Sequence, residues 1–376
     1  MKIVIVTNSS SYEPRAEKAG GFLEQIGHQV LWVETDFLHR EKHKGRLPKK
    51  DHVYLDTIPY KKNLSVRRLY SQYDFARKAE QFLRGQEIDL LYVMLPANSL
   101  ARAAARIKKM SQAKLVFDII DLWPESLPVK GLERFWPVQY WRRLRDDHLG
   151  VADLILTECE MYQSRLKMGG TDRATLYWPK EQIPKKRSFM LDDSAIHIVY
   201  LGSINHIIDI GEIAALLSHV DRKKKVMLHV IGDGERREEF LTALKQKGIQ
   251  TEYHGSIYEE DEKAAIFSKC SFGINMMKPD VCVGLTMKSV DYFCYGLPII
   301  NNIKGDTWKL VEDYGIGVNL EPGSYEAAAQ SIIEFPAQQE EMSRRIQELY
   351  QEKFTDQAFY SVLKDKILPL LQPERT

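Results

Sequence analysis

The segment Gly284-Leu285-Thr286-Met287-Lys288, with Asp291 three residues further on, has the residue types of a diphosphate cradle. A glycine loop lets the backbone approach an anion, and Thr286 is placed to cap a helix over 287–295 whose first amides lack intrahelical acceptors. Lys288 adds a cation in the first turn, and Asp291, one turn on, suits a ribose or sugar hydroxyl. Gly296 then stops the helix before the apolar LPII. A solvated lysine and aspartate on a helix face would look the same. Gly232-Asp233-Gly234 follows the apolar VMLHVI and permits a tight turn into a charged helix, which plain turn chemistry explains as well as ligand contact does. In the first half, Asp118, Asp121 and Glu125 fall within FDIIDLWPESL (117–127), at and just after an apolar run. A carboxylate there can orient or deprotonate a hydroxyl, whereas capping, or pairing with Arg142 or Arg143, is the structural alternative. Arg15, in TNSSSYEPRAEKAGGF (7–22), is placed to reach a phosphate, and Trp123 and Trp136 read as core or loop anchors.

These residues sit between short apolar, β-branched runs: KIVIVT (2–7), QVLWVE (29–34), DLLYVM (89–94), KLVFDI (114–119) and DLILT (153–157). Charged segments of helical period separate the runs, the pattern of a parallel sheet wrapped by helices. The alternation pauses over 179–195, polar and holding two prolines, and restarts with IHIVYL (196–201), VMLHVI (226–231), FGINM (272–276) and PIINN (298–302). The expected architecture is two Rossmann-like, doubly wound α/β domains, 1–178 and 196–350, with a linker at 179–195 and ligands bound in a cleft at the strands' carboxyl ends. A C-terminal helix, 351–376, is expected to cross back to the first domain.

The composition, 44% hydrophobic and 28% charged over 376 residues, is that of a folded globular chain of two-domain size. The four apolar residues after Lys2 are too few for a secretory signal, and no run approaches the length of a spanning helix. Cys159, Cys270, Cys282 and Cys294 lack CxxC spacing or a matching histidine pair, so thiols and no metal or cofactor are expected. The net charge of +1 divides unequally: residues 1–190 hold 33 basic against 23 acidic side chains (+10), and 191–376 hold 20 against 29 (−9). A basic first half, with REKHKGRLPKK (40–50), Lys61-Lys62 and Arg67-Arg68, suits an anionic membrane surface, although opposite charges also help domains dock. Nucleic acid is not indicated, because the basic residues lack interleaved aromatics in a binding module.

The ordered set YLGS (200–203), VIGDG (230–234), YHGSI (253–257), SFGINMM (271–277) and MKSVDYFCYGLPIINN (287–302) resembles the donor-binding half of glycosyltransferase family 4, retaining enzymes of GT-B fold. Lys288, Tyr292, Gly296 and Pro298 meet that family's K-x-x-E-Y-x-x-x-G-x-P-V pattern, and FDIIDLWPESL is similar to a segment of its capsule and O-antigen branch. The resemblance implies a nucleotide-sugar donor, usually a UDP-sugar, with Gly202 and Ser203 near the phosphates, His254, Gly255 and Ser256 near the base, and Asp291 on the ribose. It also departs from the family. The paired glutamates correspond to Val283 and Asp291, and SINHIIDIG (203–211) lacks the usual lysine and arginine, leaving His206 as a substitute. The function implied is sugar transfer, with retention and without metal, to a lipid-linked saccharide at the cytoplasmic face of a bacterial membrane. A non-catalytic partner subunit and a sugar-nucleotide epimerase are the rivals.

Overall fold

The computed structural model describes the whole chain except residues 64, 96, 127–130, 132–133, 167–168, 182–193, 336–338 and 373–376. Most of the expected linker lies outside the described residues. Two compact units result, Met1–Trp178 with Phe359–Thr376, and Pro179–Ala358.

In the first unit the chain runs β1 (Lys2–Thr7), α1 (Glu13–Gln25), β2 (Gln29–Thr35), a small hairpin β3 (Phe37–Leu38) and β4 (His43–Lys44), β5 (His52–Leu55), and α2 (Val66–Leu83). It continues through β6 (Leu90–Leu95), α3 (Asn98–Ser111), β7 (Lys114–Ile119), α4 (Trp136–Leu149), β8 (Leu154–Thr157), α5 (Glu160–Arg165) and β9 (Asp172–Thr175). Seven of these strands form one parallel sheet in the order β5-β2-β1-β6-β7-β8-β9.

The second unit holds β10 (Ile196–Leu201), α6 (Ile210–Asp221), β11 (Val226–Ile231), α7 (Arg237–Gln246), β12 (Gln250–Gly255), α8 (Glu260–Phe267), β13 (Phe272–Asn275) and α9 (Met287–Cys294). After these come β14 (Ile299–Asn301), α10 (Asp306–Tyr314), β15 (Gly317–Asn319), α11 (Tyr325–Glu334) and α12 (Gln339–Lys353). Its parallel sheet has the order β12-β11-β10-β13-β14-β15. α12 buries Met342, Ile346 and Leu349 in the second unit, while α13 (Asp356–Leu371), within the expected terminal helix, places Phe359, Leu363, Ile367 and Leu371 in the first unit's core. The four-residue spacing of that apolar row makes one stripe on α13.

A buried ion pair lies in the first unit's core. Arg15 and Asp118 are both fully buried, joined by Nε to Oδ2 at 2.8 Å and Nη2 to Oδ1 at 2.9 Å. Arg15 also donates to the Leu176 carbonyl at 2.8 Å, Tyr92 donates to Asp118 at 2.6 Å, and the guanidinium lies between the rings of Trp178 and Phe359. Burial alone would lower the proton affinity of Arg15, but the Asp118 carboxylate holds it above the ordinary value. This corrects two sequence expectations. Arg15 does not reach out to a phosphate and Asp118 does not meet an acceptor, because α1 and β7 bury the two against each other.

Gly20 and Gly21 occupy the same helix with opposite surroundings. A Cβ on Gly20 would stand 2.2 Å from Cη2 of Trp32, so the glycine lets α1 settle on β2, whereas a Cβ on Gly21 would meet nothing within 4 Å. Gly20→Ala should destabilise the protein by about 1–3 kcal/mol through overpacking. Gly21→Ala should stabilise it by up to about 1 kcal/mol through helix propensity; urea unfolding of both variants reads the two signs. Asp118→Asn, which strands the buried Arg15 cation, should cost about 3–5 kcal/mol by the same measurement.

Candidate functional site

At the carboxyl ends of β10, β11 and β12, hydrogen bonding continues beyond the strands. Gly202 donates to the Ile231 carbonyl at 2.8 Å, Ile204 to Asp233 at 2.9 Å, and Gly232 to Gly255 at 2.7 Å. A Cβ on Gly232 would fall 2.0 Å from the Gly202 carbonyl oxygen, and one on Gly234 2.4 Å from that of Ile204. Both glycines have positive φ, +144° and +159°. The Gly-Asp-Gly sequence therefore does more than turn the chain, since it lets two loops touch backbone to backbone. The Ser203 amide has no backbone acceptor among the described residues.

Beside this wall stands Lys288. A Cβ on Gly202 would lie 3.4 Å from its Cε, and its ammonium sits 4.4 Å from the Tyr200 ring centroid while donating to the Tyr200 hydroxyl at 3.2 Å. Tyr200 in turn donates to the Ser203 carbonyl at 2.8 Å. Burial lowers the Lys288 pKa from 10.5 to about 8, and no carboxylate pairs with it among the described residues. The N-terminus of α9, to which Lys288 belongs, is fixed by side chains. Thr286 Oγ1 accepts from the Ser289 amide at 3.2 Å, and the fully buried Asn275 donates to both Thr286 and Ser289. The Gly284 carbonyl accepts from the amide and hydroxyl of Thr307 at 2.8 and 3.0 Å, which pins the loop through the half-buried Leu285.

The other donor-side candidates are placed differently. Asp291 is ion-paired with Lys180, whose ammonium also lies 3.7 Å from Glu260. The carboxylate expected on a ribose is thus engaged within the second unit, since α9 presents Asp291 to a lysine that the backbone holds in place. Lys180 donates from its amide to the Phe354 carbonyl at 2.8 Å, and its own carbonyl accepts from Tyr350. His206 is largely exposed and stands 3.4 Å from Glu235 rather than taking a lysine's place against Gly202. His254 and Gly255 close β12, the histidine 3.1 Å from His229, and Ser256 is exposed.

In the first unit the three carboxylates separate. Glu125 binds Arg145 through two bonds of 3.1 and 2.8 Å and lies 2.8 Å from Arg142, the ion pairing that its sequence left open beside a role at the acceptor. Asp121 is held by a hydrogen bond from Tyr12. Burial raises its proton affinity above the ordinary carboxylate value, opposed by the Tyr12 bond and the charge of Arg68. The Arg68 guanidinium lies 4.3 Å from the buried Trp123 ring, and its Nε has no hydrogen-bond partner among the described residues. Nearby, His39 pairs with Tyr60 at 2.6 Å and is kept neutral by burial and neighbouring cations, its pKa lowered to about 4. Tyr12, Arg68 and Lys180 carried no sequence motif that would have singled them out for these contacts. Trp136 is 71% exposed, not a core anchor.

Residues 195–337 match the family model "Glycosyl transferases group 1". No curated protein matches the sequence. Among solved structures, a sucrose-phosphate synthase from Thermosynechococcus elongatus superposes with a TM-score of 0.72 at 12% identity, covering 99% of each chain. The lipopolysaccharide outer core galactosyltransferase WaaB gives 0.70 at 14% identity over 98% of this chain and 99% of that one. Anabaena HepE, solved in complex with UDP, gives 0.66 at 13% identity over 98% and 100%. At such identities the likeness establishes the architecture. The chain thus has the GT-B architecture of these structures, and within its second unit residues 195–337 match glycosyl transferases group 1.

Proposed function

We propose that the chain transfers a sugar, with retention, from a UDP-sugar to a lipid-linked saccharide during assembly of a bacterial surface polysaccharide. The observation that carries this reading is Lys288, a half-buried cation without a carboxylate partner among the described residues, set beside the Gly202 loop and the α9 N-terminus. A diphosphate there meets an ammonium, the Ser203 amide and the first amides of a helix, all oriented before it arrives. The presence of UDP in the HepE complex favours uracil as the base. Asp121 is the acceptor-side carboxylate in this reading, since Asp118 and Glu125 are neutralised by arginines.

Contact with an anionic bilayer is supported by exposed aromatic residues on α2 and α4, Tyr70, Tyr73, Trp136 and Tyr140, together with exposed Lys61, Lys62 and Arg67. The run at 40–50 contributes less than its sequence promised. Lys44 pairs with Asp36 and Asp56, Arg46 with Glu13, and Lys49 with Glu17. No described helix is long and apolar enough to cross a membrane. The second reading, a non-catalytic GT-B partner, is favoured by Val283, the lysine-free 203–211 loop and the engaged Asp291.

Calorimetric titration with UDP tests the donor site. The pKa of Lys288 lies below its unfolded value of 10.5, so its charge costs stability at neutral pH, and that cost is relieved as pH rises from about 8 to 10.5. A bound diphosphate favours the charged form. UDP affinity should therefore hold between about pH 7 and pH 8 and fall above about pH 8, while any loss below pH 7 belongs to protonation of the terminal phosphate of UDP. Lys288→Met should weaken binding at pH 7 by about tenfold or more, the scale of one charge-assisted hydrogen bond, and flatten the profile. A wild-type profile without this fall removes Lys288 from the site. For the acceptor side, Asp121→Asn should lower kcat for transfer from UDP-sugars by roughly 10²–10⁴-fold while UDP affinity stays unchanged. Wild-type protein that binds UDP but transfers nothing to any lipid-linked saccharide supports the partner-subunit reading instead.

A further inference from the structure

We infer that His229, Glu252 and His254 form a binding site for a divalent transition metal of the zinc class. The site lies across β11 and the sheet-edge strand β12, where His229 is in register with Glu252. A register shift at Val230/Ile231 pairs Ile231 with Gly255, which leaves His254 as the extra residue of the edge strand. Irregularities of this kind re-aim a side chain, and here the result is a cluster that spacing along the chain does not reveal.

The distances are those of ligands around a single ion. His229 Nδ1 is 3.1 Å from His254 Nε2 and 3.3 Å from Glu252 Oε2, and one ligand atom from each residue lies within 4.8 Å of the others. Two ligand atoms bonded to a tetrahedral zinc at about 2.0–2.1 Å stand roughly 3.3 Å apart. The metal would replace the proton that now joins the two imidazoles. The remaining nitrogen of His229 is 2.9 Å from His197 Nδ1, an orienting bond of the kind that fixes the tautomer of a metal-bound histidine. The three rings are stacked along the ladder, His197 on His229 at 5.2 Å and His229 on His254 at 5.3 Å. His229 is buried while Glu252 is 59% exposed, so an ion enters from the sheet edge and keeps a position for water. Two histidines and one carboxylate with an open fourth position are a known ligand set for zinc. An ion here would clamp β12 to β11 and fix His254 beside Gly255, whether or not the chain transfers sugars.

The test is titration of the full-length, untagged chain with Co²⁺, followed by its visible ligand-field absorption, and then displacement by Zn²⁺. One equivalent should bind, and Zn²⁺ should raise the thermal midpoint. His254→Gln and Glu252→Gln, with unchanged circular dichroism, should each weaken Co²⁺ binding by at least about tenfold, the smallest loss seen when even an outer partner of a metal ligand is removed. His206→Gln, at an exposed histidine elsewhere in the same unit, should leave it unchanged. Absence of stoichiometric binding, or equal affinity in the His254 and Glu252 variants, overturns the site and leaves a hydrogen-bonded histidine ladder. UDP affinity measured alongside reports the donor site separately.

Discussion

The contact on which the candidate donor face depends is the backbone approach of Gly202 and Gly232. A single methyl group on Gly232 would overlap the Gly202 carbonyl oxygen, at 2.0 Å. Because that space is closed to any side chain, the ends of β10, β11 and β12 are linked by amide-to-carbonyl bonds and present a wall of main chain. Lys288 then lies directly against Gly202, where a larger residue would have displaced it. A main-chain surface with one cation is suited to an anion with several oxygens, since amide dipoles held by the fold need no reorganisation when charge arrives.

The first unit achieves fixity differently. Its central ion pair joins α1 to β7 and is enclosed by Tyr92, Leu176, Trp178 and Phe359, so elements distant in sequence meet at one guanidinium. A pair of this kind adds little net stability but is costly to break, and so it specifies an arrangement. Its presence also distributes roles among the acidic residues. With Asp118 bound to Arg15 and Glu125 to Arg145, Asp121 is left with a tyrosine hydroxyl and a nearby arginine, a setting that leaves a carboxylate able to accept another hydrogen bond.

The fold was legible in the sequence where strands are central. Each apolar run is an interior strand, because a parallel strand covered on both faces must be apolar throughout. The strands of the two large sheets that no run marks, β5, β9, β12 and β15, are their four edges, and the short hairpin β3–β4 is unmarked as well. HVYL, DRAT, QTEYHG and GVN are partly exposed and carry polar or small residues, so no run marks them. The α9 cap was legible because Thr-x-x-Ser and the flanking glycines act locally, and the helix lies at Met287–Cys294 with Thr286 at its cap. Charge partners were not. Arg15 with Asp118, Lys180 with Asp291 and His229 with His254 are tertiary pairings, and a sequence shows that a charge exists without showing whether it is already answered.

That last distinction decides how the departures from the family pattern are weighed. A half-buried Val283 stands where a glutamate would be expected, and no lysine or arginine follows Gly202. Relative to that pattern both are losses of charge, one of each sign. What the described residues show around Lys288 itself is an ammonium against the Tyr200 ring and hydroxyl, with no carboxylate paired to it. In a poorly solvated setting, a lone cation attracts an incoming diphosphate more strongly than the same lysine would in water or in an ion pair. The charge on this face of the second unit is therefore concentrated on one residue, with main-chain dipoles beside it.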